Sequence, residues 1–269
     1  RIGTVEGFGA MIRYSVIPDL QQCFDEPVAG TAMTHLGRGL YEAHARDEAG
    51  FEDEGGHKQM WFACRDVAFE NPVTEDQTNL MLQRMGLAPV ASAGKTTDAK
   101  SVQRAIFGEQ VFPDVNGDLE MLITRMASLL LIEISAFHVF AWAEEVLADT
   151  DLVAGDGDAA RLVSYIRADE TPHVEYLKTV LSEMRDRTFV GESGRKYPGT
   201  KIIGDLWERA KGESLGARRE QNLALTLREV QHALDGNPRA ADIEEQFHAL
   251  GSIRPSVDGG WQPATVTSY

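Results

Sequence analysis

The stretch MLITRMASLLLIEISAFHVFAWA (121–143) is apolar almost all round the helix it encodes, interrupted only by Arg125, Glu133 and His138. A helix without a polar face has to be surrounded by other helices, so it reads as the central element of a helical core. The three polar interruptions argue against reading it as a membrane span. It predicts a helix from about Asp118 to Ala148. The loop DTDLVAGDGD (149–158) then leads into a second long helix, about 158 to 186. Two long helices joined by a short Gly- and Asp-rich loop form an antiparallel hairpin, and helical periodicity dominates the rest of the chain, so the expected fold class is all-α.

An earlier pair of helices completes the expected bundle. The first runs from Thr4 to Phe24 with a kink at Pro18. The turn DEPVAG (25–30) separates it from a long helix over residues 32 to 70 that stops before Pro72. A shorter helix comes next, with Thr74 as its cap and Gln77 at the third helical position, and then the polar connector ASAGKTTDAKS (91–101). Beyond GESGRKYPGT (191–200) the pattern predicts helices near 201–214, 217–234 and 238–250. The expected organisation is therefore a bundle over residues 1–190 and a C-terminal helical appendage, 191–269, packed on it.

With 269 residues and 43% hydrophobic content the chain can bury one large core. Its net charge of −16 sets it against nucleic acid and anionic membranes and favours a neutral or cationic small molecule. Two cysteines, Cys23 and Cys64, lie far apart outside any C-x-x-C pair. They exclude a disulfide framework, a rubredoxin-like iron site and a zinc ribbon, and the expected setting is cytoplasmic.

The chain contains four Glu-x-x-His sequences: Glu54/His57, Glu170/His173, Glu229/His232 and Glu245/His248. At about 100° per residue the last two pairs lie opposite the apolar stripes of their helices and belong to solvated surface. Glu170 and His173 instead fall within the stripe Leu162, Ile166, Leu177, Val180 and Met184. On a continuous 32–70 helix, Glu54 falls within the stripe of Leu36, Leu40, Phe51, Trp61 and Phe62, with His57 at its edge. Burying an ionised carboxylate without a counter-charge costs several kcal/mol, roughly, and neither stripe carries a Lys or Arg to supply one. A metal ion supplies it, because Glu and His at i and i+3 leave one helix turn side by side. A core Glu–His hydrogen bond is the plainer reading of either pair alone.

Glu133 adds a third buried acid, the only one between Glu120 and Glu144. The position midway between Glu133 and Glu170 falls at 151–152, inside the loop, so the antiparallel hairpin brings the two to one level. His138, five residues on, lies on a different flank and reads as a hydrogen-bonded core histidine or a support to a ligand.

The residues DEGGH (53–57), the isolated Glu133 and DETPH (169–173) resemble, in type and order, the motifs of the ferritin-like di-iron carboxylate proteins. The resemblance covers roughly residues 1 to 186. It implies metal ligands at Glu54, His57, Glu133, Glu170 and His173, and a fourth carboxylate from the first helix. Glu6 is the candidate, since residue 30, midway between it and Glu54, falls in the turn. It also implies that Asp169, and by pseudo-symmetry Asp53, orient a ligand histidine of the opposite motif.

The implied cofactor is a pair of iron ions, Fe/Fe or Mn/Fe. The implied activity is O₂-dependent oxidation of a small organic substrate by a monomer or homodimer, with electrons from an external reductase or ferredoxin. Two other readings stand beside it: a ferroxidase or iron-handling protein without an organic substrate, and a helical binding module with no metal. Trp61, one turn after His57, reads as core, and Tyr165 and Tyr176 carry no assigned role.

Overall fold

The computed structural model describes residues 2–7, 9–84, 109–250, 253–255 and 261–263; the expected connector at 91–101 lies outside them. The chain divides into two compact units, Arg1–Ser214 and Leu215–Tyr269. The boundary expected at 190 therefore moves to 214, because the segment 191–214 packs onto the first unit. An antiparallel hairpin of β3 (Thr188–Val190) and β4 (Lys196–Pro198) leads into helix α8 (Gly199–Gly212), which lies against both long helices.

Those two helices occupy the expected ranges. Helix α6 (Gly117–Leu147) starts at Asn116, whose side chain accepts from the amides of Asp118 and Leu119, with Asp118 and Glu120 in the positive first turn. Glu120 is buried because its carboxylate reaches back to the amides of Val111 and Phe112. Helix α7 (Asp158–Arg185) runs continuously through Pro172, and α6 and α7 make the most extensive helix pair among the described residues. By length and composition α6 could cross a membrane; here it packs against α7 and α8 and buries Glu120 and Glu133.

The N-terminal arm departs from the expected pair of long helices. In place of one helix over 4–24 there are α1 (Ile2–Glu6), a 3-10 turn (Gly9–Tyr14), an extended segment through Pro18, and α2 (Leu20–Cys23). Gly3, Gly7 and Gly9 weaken the helix before Pro18 ends it. The second expected helix breaks as well: a 3-10 turn (Ala32–His35) and a π turn (Leu36–Leu40) lead into α3 (Tyr41–Ala49), and α4 spans His57–Ala68. Between α3 and α4 the chain turns back as a hairpin of β1 (Gly50–Phe51) and β2 (Glu54–Gly55). Gly50 sits at φ 85°, which ends α3, and Arg46 lies 3.9 Å over the Phe51 ring to brace the hairpin. After α4, α5 (Glu75–Arg84) begins with the expected capping box, Thr74 and Gln77 exchanging hydrogen bonds at 2.8 and 3.2 Å.

Among the described residues two apolar clusters form the core of this unit. One gathers Leu119 to Leu130 of α6, Leu177 to Met184 of α7, the segment from Ile12 to Ala45, and α8. The other gathers Trp61, Cys64 and Ala68 of α4 with Ala136, Phe140 and Ala143 of α6 and Ala159, Val163 and Ile166 of α7. Along α6, Glu133 falls between Leu130 of the first cluster and Ala136 of the second. Along α7, Glu170 and His173 fall between Ile166 and Leu177. A polar layer is thus enclosed between two apolar ones.

In the second unit, α9 (Arg218–Ala233) and α10 (Ala240–Leu250) precede an antiparallel pair, β5 (Ile253–Pro255) and β6 (Trp261–Pro263). Its two Glu-x-x-His pairs are exposed or half-buried, as their helical faces require.

Candidate metal centre

Seven side chains make up the polar layer. Glu6 ends α1, His44 and Glu48 stand one turn apart on α3, His57 opens α4, Glu133 comes from α6, and Glu170 and His173 from α7. None is more than 9% exposed, and Glu170 is fully buried. The close approach of the chain at Gly9 helps to make room: a Cβ there would lie 2.6 Å from the Glu48 carboxyl carbon.

The layer resolves into two overlapping groups of four. His44, Glu48, Glu133 and His173 form one, and Glu6, Glu48, His57 and Glu170 form the other, each able to bring its ligand atoms within 4.8 Å of one another. Glu48 belongs to both. Glu170 also faces both groups, with Oε1 3.5 Å from His57 Nδ1 and Oε2 3.2 Å from His173 Nδ1. Glu48 Oε1 lies 3.2 Å from His57 Nδ1 and 3.7 Å from His44 Nε2, and Glu133 Oε1 lies 3.3 Å from His44 Nε2. His44 Nε2, His57 Nδ1, Glu48 Oε2 and Glu170 Oε1 are buried without a hydrogen-bond partner. Orphaned buried polar atoms converging from two sides are what a polar cluster leaves when it is built around cations.

Each histidine is held from behind. His57 Nε2 is 3.4 Å from Asp169 Oδ2, and His173 Nε2 is 3.0 Å from Asp47 Oδ2. His44 Nδ1 is 2.9 Å from the Tyr176 hydroxyl. With the outer nitrogen protonated and donating, the inner nitrogen of each ring keeps its lone pair for the layer. The rings of His44 and His173 stack at 3.7 Å, so two ligands of one group also fix each other.

The electrostatics give the same picture. Burial raises Glu6 and lifts Glu48 to about 7. It also drives Glu170 up, with the Glu133 carboxylate adding to the effect, while the neighbouring His44 imidazole, Glu170 carboxyl and His173 hold Glu133 low against its own burial. Burial lowers His44. For His57 and His173 burial is outweighed: Asp169, Glu48 and Glu6 take His57 to about 12, and Asp47 and Glu170 take His173 to about 9. Without a cation the layer therefore balances its carboxylates by holding protons. Among the described residues none of the four carboxylates makes an ion pair with Lys or Arg. Two divalent cations would carry the four positive charges that the four carboxylates call for, with every histidine neutral. These buried His and Glu groups can hold metal.

The sequence-expected residues divide accordingly. His57, Glu133, Glu170, His173 and Glu6 stand in the layer, and Asp169 stands behind His57. Glu54 does not join them. It is exposed on β2, because the hairpin after Gly50 lifts residues 50–55 out of the helical register that would have buried it. Asp53 is exposed in the same turn, and His138 is exposed on α6, with its ring 5.8 Å from that of Phe137.

The places expected for Asp53 and Glu54 are taken by Asp47 and Glu48, an identical Asp-Glu pair six positions earlier. Asp47-Glu48 and Asp169-Glu170 are the matching dipeptides, and the histidine that comes three positions after Glu170 comes nine positions after Glu48. That repeated dipeptide was the available signal for Glu48. His44 had a weaker one, an i, i+4 spacing to Glu48.

No family model matches this chain, and neither a curated protein nor a solved structure matches it.

Proposed function

We propose that this chain is a non-haem di-iron oxidase or monooxygenase related to the ferritin-like carboxylate proteins, oxidising a small organic substrate with O₂. The observation that carries the reading is the sharing of Glu48 between two buried groups of four, with Glu170 facing both, which is a donor set for two adjacent ions. Glu6, His44, Glu48, His57, Glu133, Glu170 and His173 would hold the two ions, Fe/Fe or Mn/Fe, whose ferrous form would supply electrons to O₂.

The chain's own part is positional and electrostatic. Asp47, Asp169 and Tyr176 fix the ring orientations of His173, His57 and His44. The apolar clusters above and below the layer limit water beside the reacting groups. Glu48 and Glu170, both raised by burial, hold protons in the metal-free chain and would give them up to bind the ions. An external reductase or ferredoxin would return the electrons used in each turnover.

An iron-handling ferroxidase would use the same donors. An apolar cavity beside α4 favours the organic substrate instead.

The deciding experiment is anaerobic ferrous loading of purified protein with metal analysis, in the native chain and in Glu133→Ala. Two ions per chain, reduced in the variant, and a transient visible absorption on exposure to O₂ are expected. A metal-free protein of unchanged stability would overturn the reading, and iron uptake with mineral formation but no substrate oxidation would favour the ferroxidase.

A further inference from the structure

The two groups of the layer share Glu48, and Glu170 faces both, so what separates them is the donors they do not share. On one side stand His44, His173 and Glu133, and on the other His57 and Glu6. Each set carries one carboxylate, so the charge offered to the two cations is alike. The difference is an imidazole. A paired Glu-x-x-His pattern accounts for two histidines, and His44 comes in addition to them.

Imidazole and carboxylate select metals differently. Sites of nitrogen and oxygen donors bind Fe(II) more tightly than Mn(II), and imidazole favours iron while carboxylate suits manganese. The position with two imidazoles therefore binds more tightly and separates the two metals more sharply than the position with one.

The two positions also differ in how firmly they are held. His44 and His173 lie 2.9 Å from the Tyr176 hydroxyl and 3.0 Å from Asp47, and their rings stack 3.7 Å apart, 3° from parallel. These donors and Glu133 stand inside helices, His44 on α3 and the other two on α6 and α7, which are 31 and 28 residues long. His57, by contrast, is the first residue of α4 and lies 3.4 Å from Asp169. Glu6 is the last residue of α1, which has five. It is 9% exposed, whereas the other six members of the layer are at most 3% exposed. A helix so short has little stability of its own and is held by its packing on α4, so moving it aside costs less than displacing α6 or α7.

We propose that the two cation positions are unequal. The position between His44, His173 and Glu133 fills first, favours Fe(II) over Mn(II) and retains its ion. The position between His57 and Glu6 fills second, discriminates less, and exchanges its ion when α1 moves. Given one equivalent of Fe(II) and an excess of Mn(II), the chain takes up a mixed pair with iron at the first position and manganese at the second. The proposal rests on the reading of the layer as a two-cation site and requires no reaction with O₂.

Anaerobic calorimetric titration of the metal-free full chain with Fe(II), and separately with Mn(II), tests it. Fe(II) should bind in two steps about tenfold or more apart, and Mn(II) in two steps closer together. Glu6→Gln should abolish the second step and keep the first. Two variants that leave every ligand in place guard against a fold defect: Asp169→Asn should weaken only the second Fe(II) step and Tyr176→Phe only the first, each about tenfold. Native mass spectrometry after loading with one equivalent of Fe(II) and excess Mn(II) should show chains carrying one ion of each, and brief exposure to a chelator should remove the manganese before the iron. One affinity for both ions, a random mixture of Fe/Fe, Mn/Fe and Mn/Mn chains, or Asp169→Asn and Tyr176→Phe weakening the same step would each overturn the inference and leave the two-cation reading standing. A native chain that binds neither metal would overturn both.

Discussion

His173 Nε2 lies 3.0 Å from Asp47 Oδ2, and the arrangement is reciprocated by His57 and Asp169 at 3.4 Å. In each case the acid immediately precedes a buried glutamate on one helix and supports a histidine of another. Asp47→Asn or Asp169→Asn should cost about 10- to 100-fold in metal affinity, the usual effect of removing a support behind a metal-ligating histidine. Competition against a chelator measures it. Because Asp47 and Asp169 are partly exposed, the metal-free chain should still fold, melting somewhat lower at neutral pH where each acid helps to keep its histidine protonated.

Glu48 and Glu54 separate the buried layer of the structure from the ligand set expected on a continuous helix. Glu48→Ala removes the carboxylate common to both groups and should lower the metal content below two ions per chain. Glu54→Ala, on the exposed hairpin, should keep both ions and change stability by no more than about 0.5 kcal/mol. Retention of metal in the first variant and loss in the second would refute the assignment.

Gly9→Ala tests the close approach. Its new Cβ would meet Glu48 at 2.6 to 2.8 Å, contacting the end of a side chain that can swing away. The fold should survive, and metal affinity should fall because Glu48 is displaced. A variant that binds iron like the native chain would show that Glu48 has latitude the layer does not need.

Stability of the metal-free chain should fall as pH rises. Glu6, Glu48 and Glu170 hold protons more tightly folded than unfolded, so their contribution is complete below about 4.5 and is lost as pH climbs, through about 7 for Glu48. His173 and His57 have the same sign, complete below 6.5 and lost as pH rises through about 9 for His173 and about 12 for His57. Glu133 and His44, shifted down, oppose them but are fewer. Melting of the metal-free chain between pH about 5 and about 9 should show the decline, and iron binding, which displaces those protons, should tighten over the same range. Melting that improves with pH would contradict these directions.

The α6–α7 half of the centre was legible because its signals are local. A long apolar period, one isolated acid, and a short loop fix which residues of an antiparallel pair stand level, and Glu133 and Glu170 both stand in the buried layer. Pro172 did not disturb that reading, since α7 runs through it. In the first arm the same arithmetic set Glu6 level with Glu54, whereas the structure places Glu6 beside Glu48 and leaves Glu54 exposed. Periodicity treats 32–70 as one helix, and Gly50, Gly55 and Gly56 do not by themselves say whether the chain bends or turns back.

The sequence by itself determined that this chain is helical, that the hairpin of α6 and α7 carries acids into an apolar core, and that those acids require compensating charge. These properties come from side-chain period and the cost of burying charge, which depend on neighbours along the chain. Only the tertiary structure decided that Glu48 and His44 enter the layer while Glu54 stays in solvent. The hairpin at residues 50–55 resets the register between α3 and α4, and which of two Asp-Glu pairs is buried depends on the packing of Gly9, α1 and α7 around them.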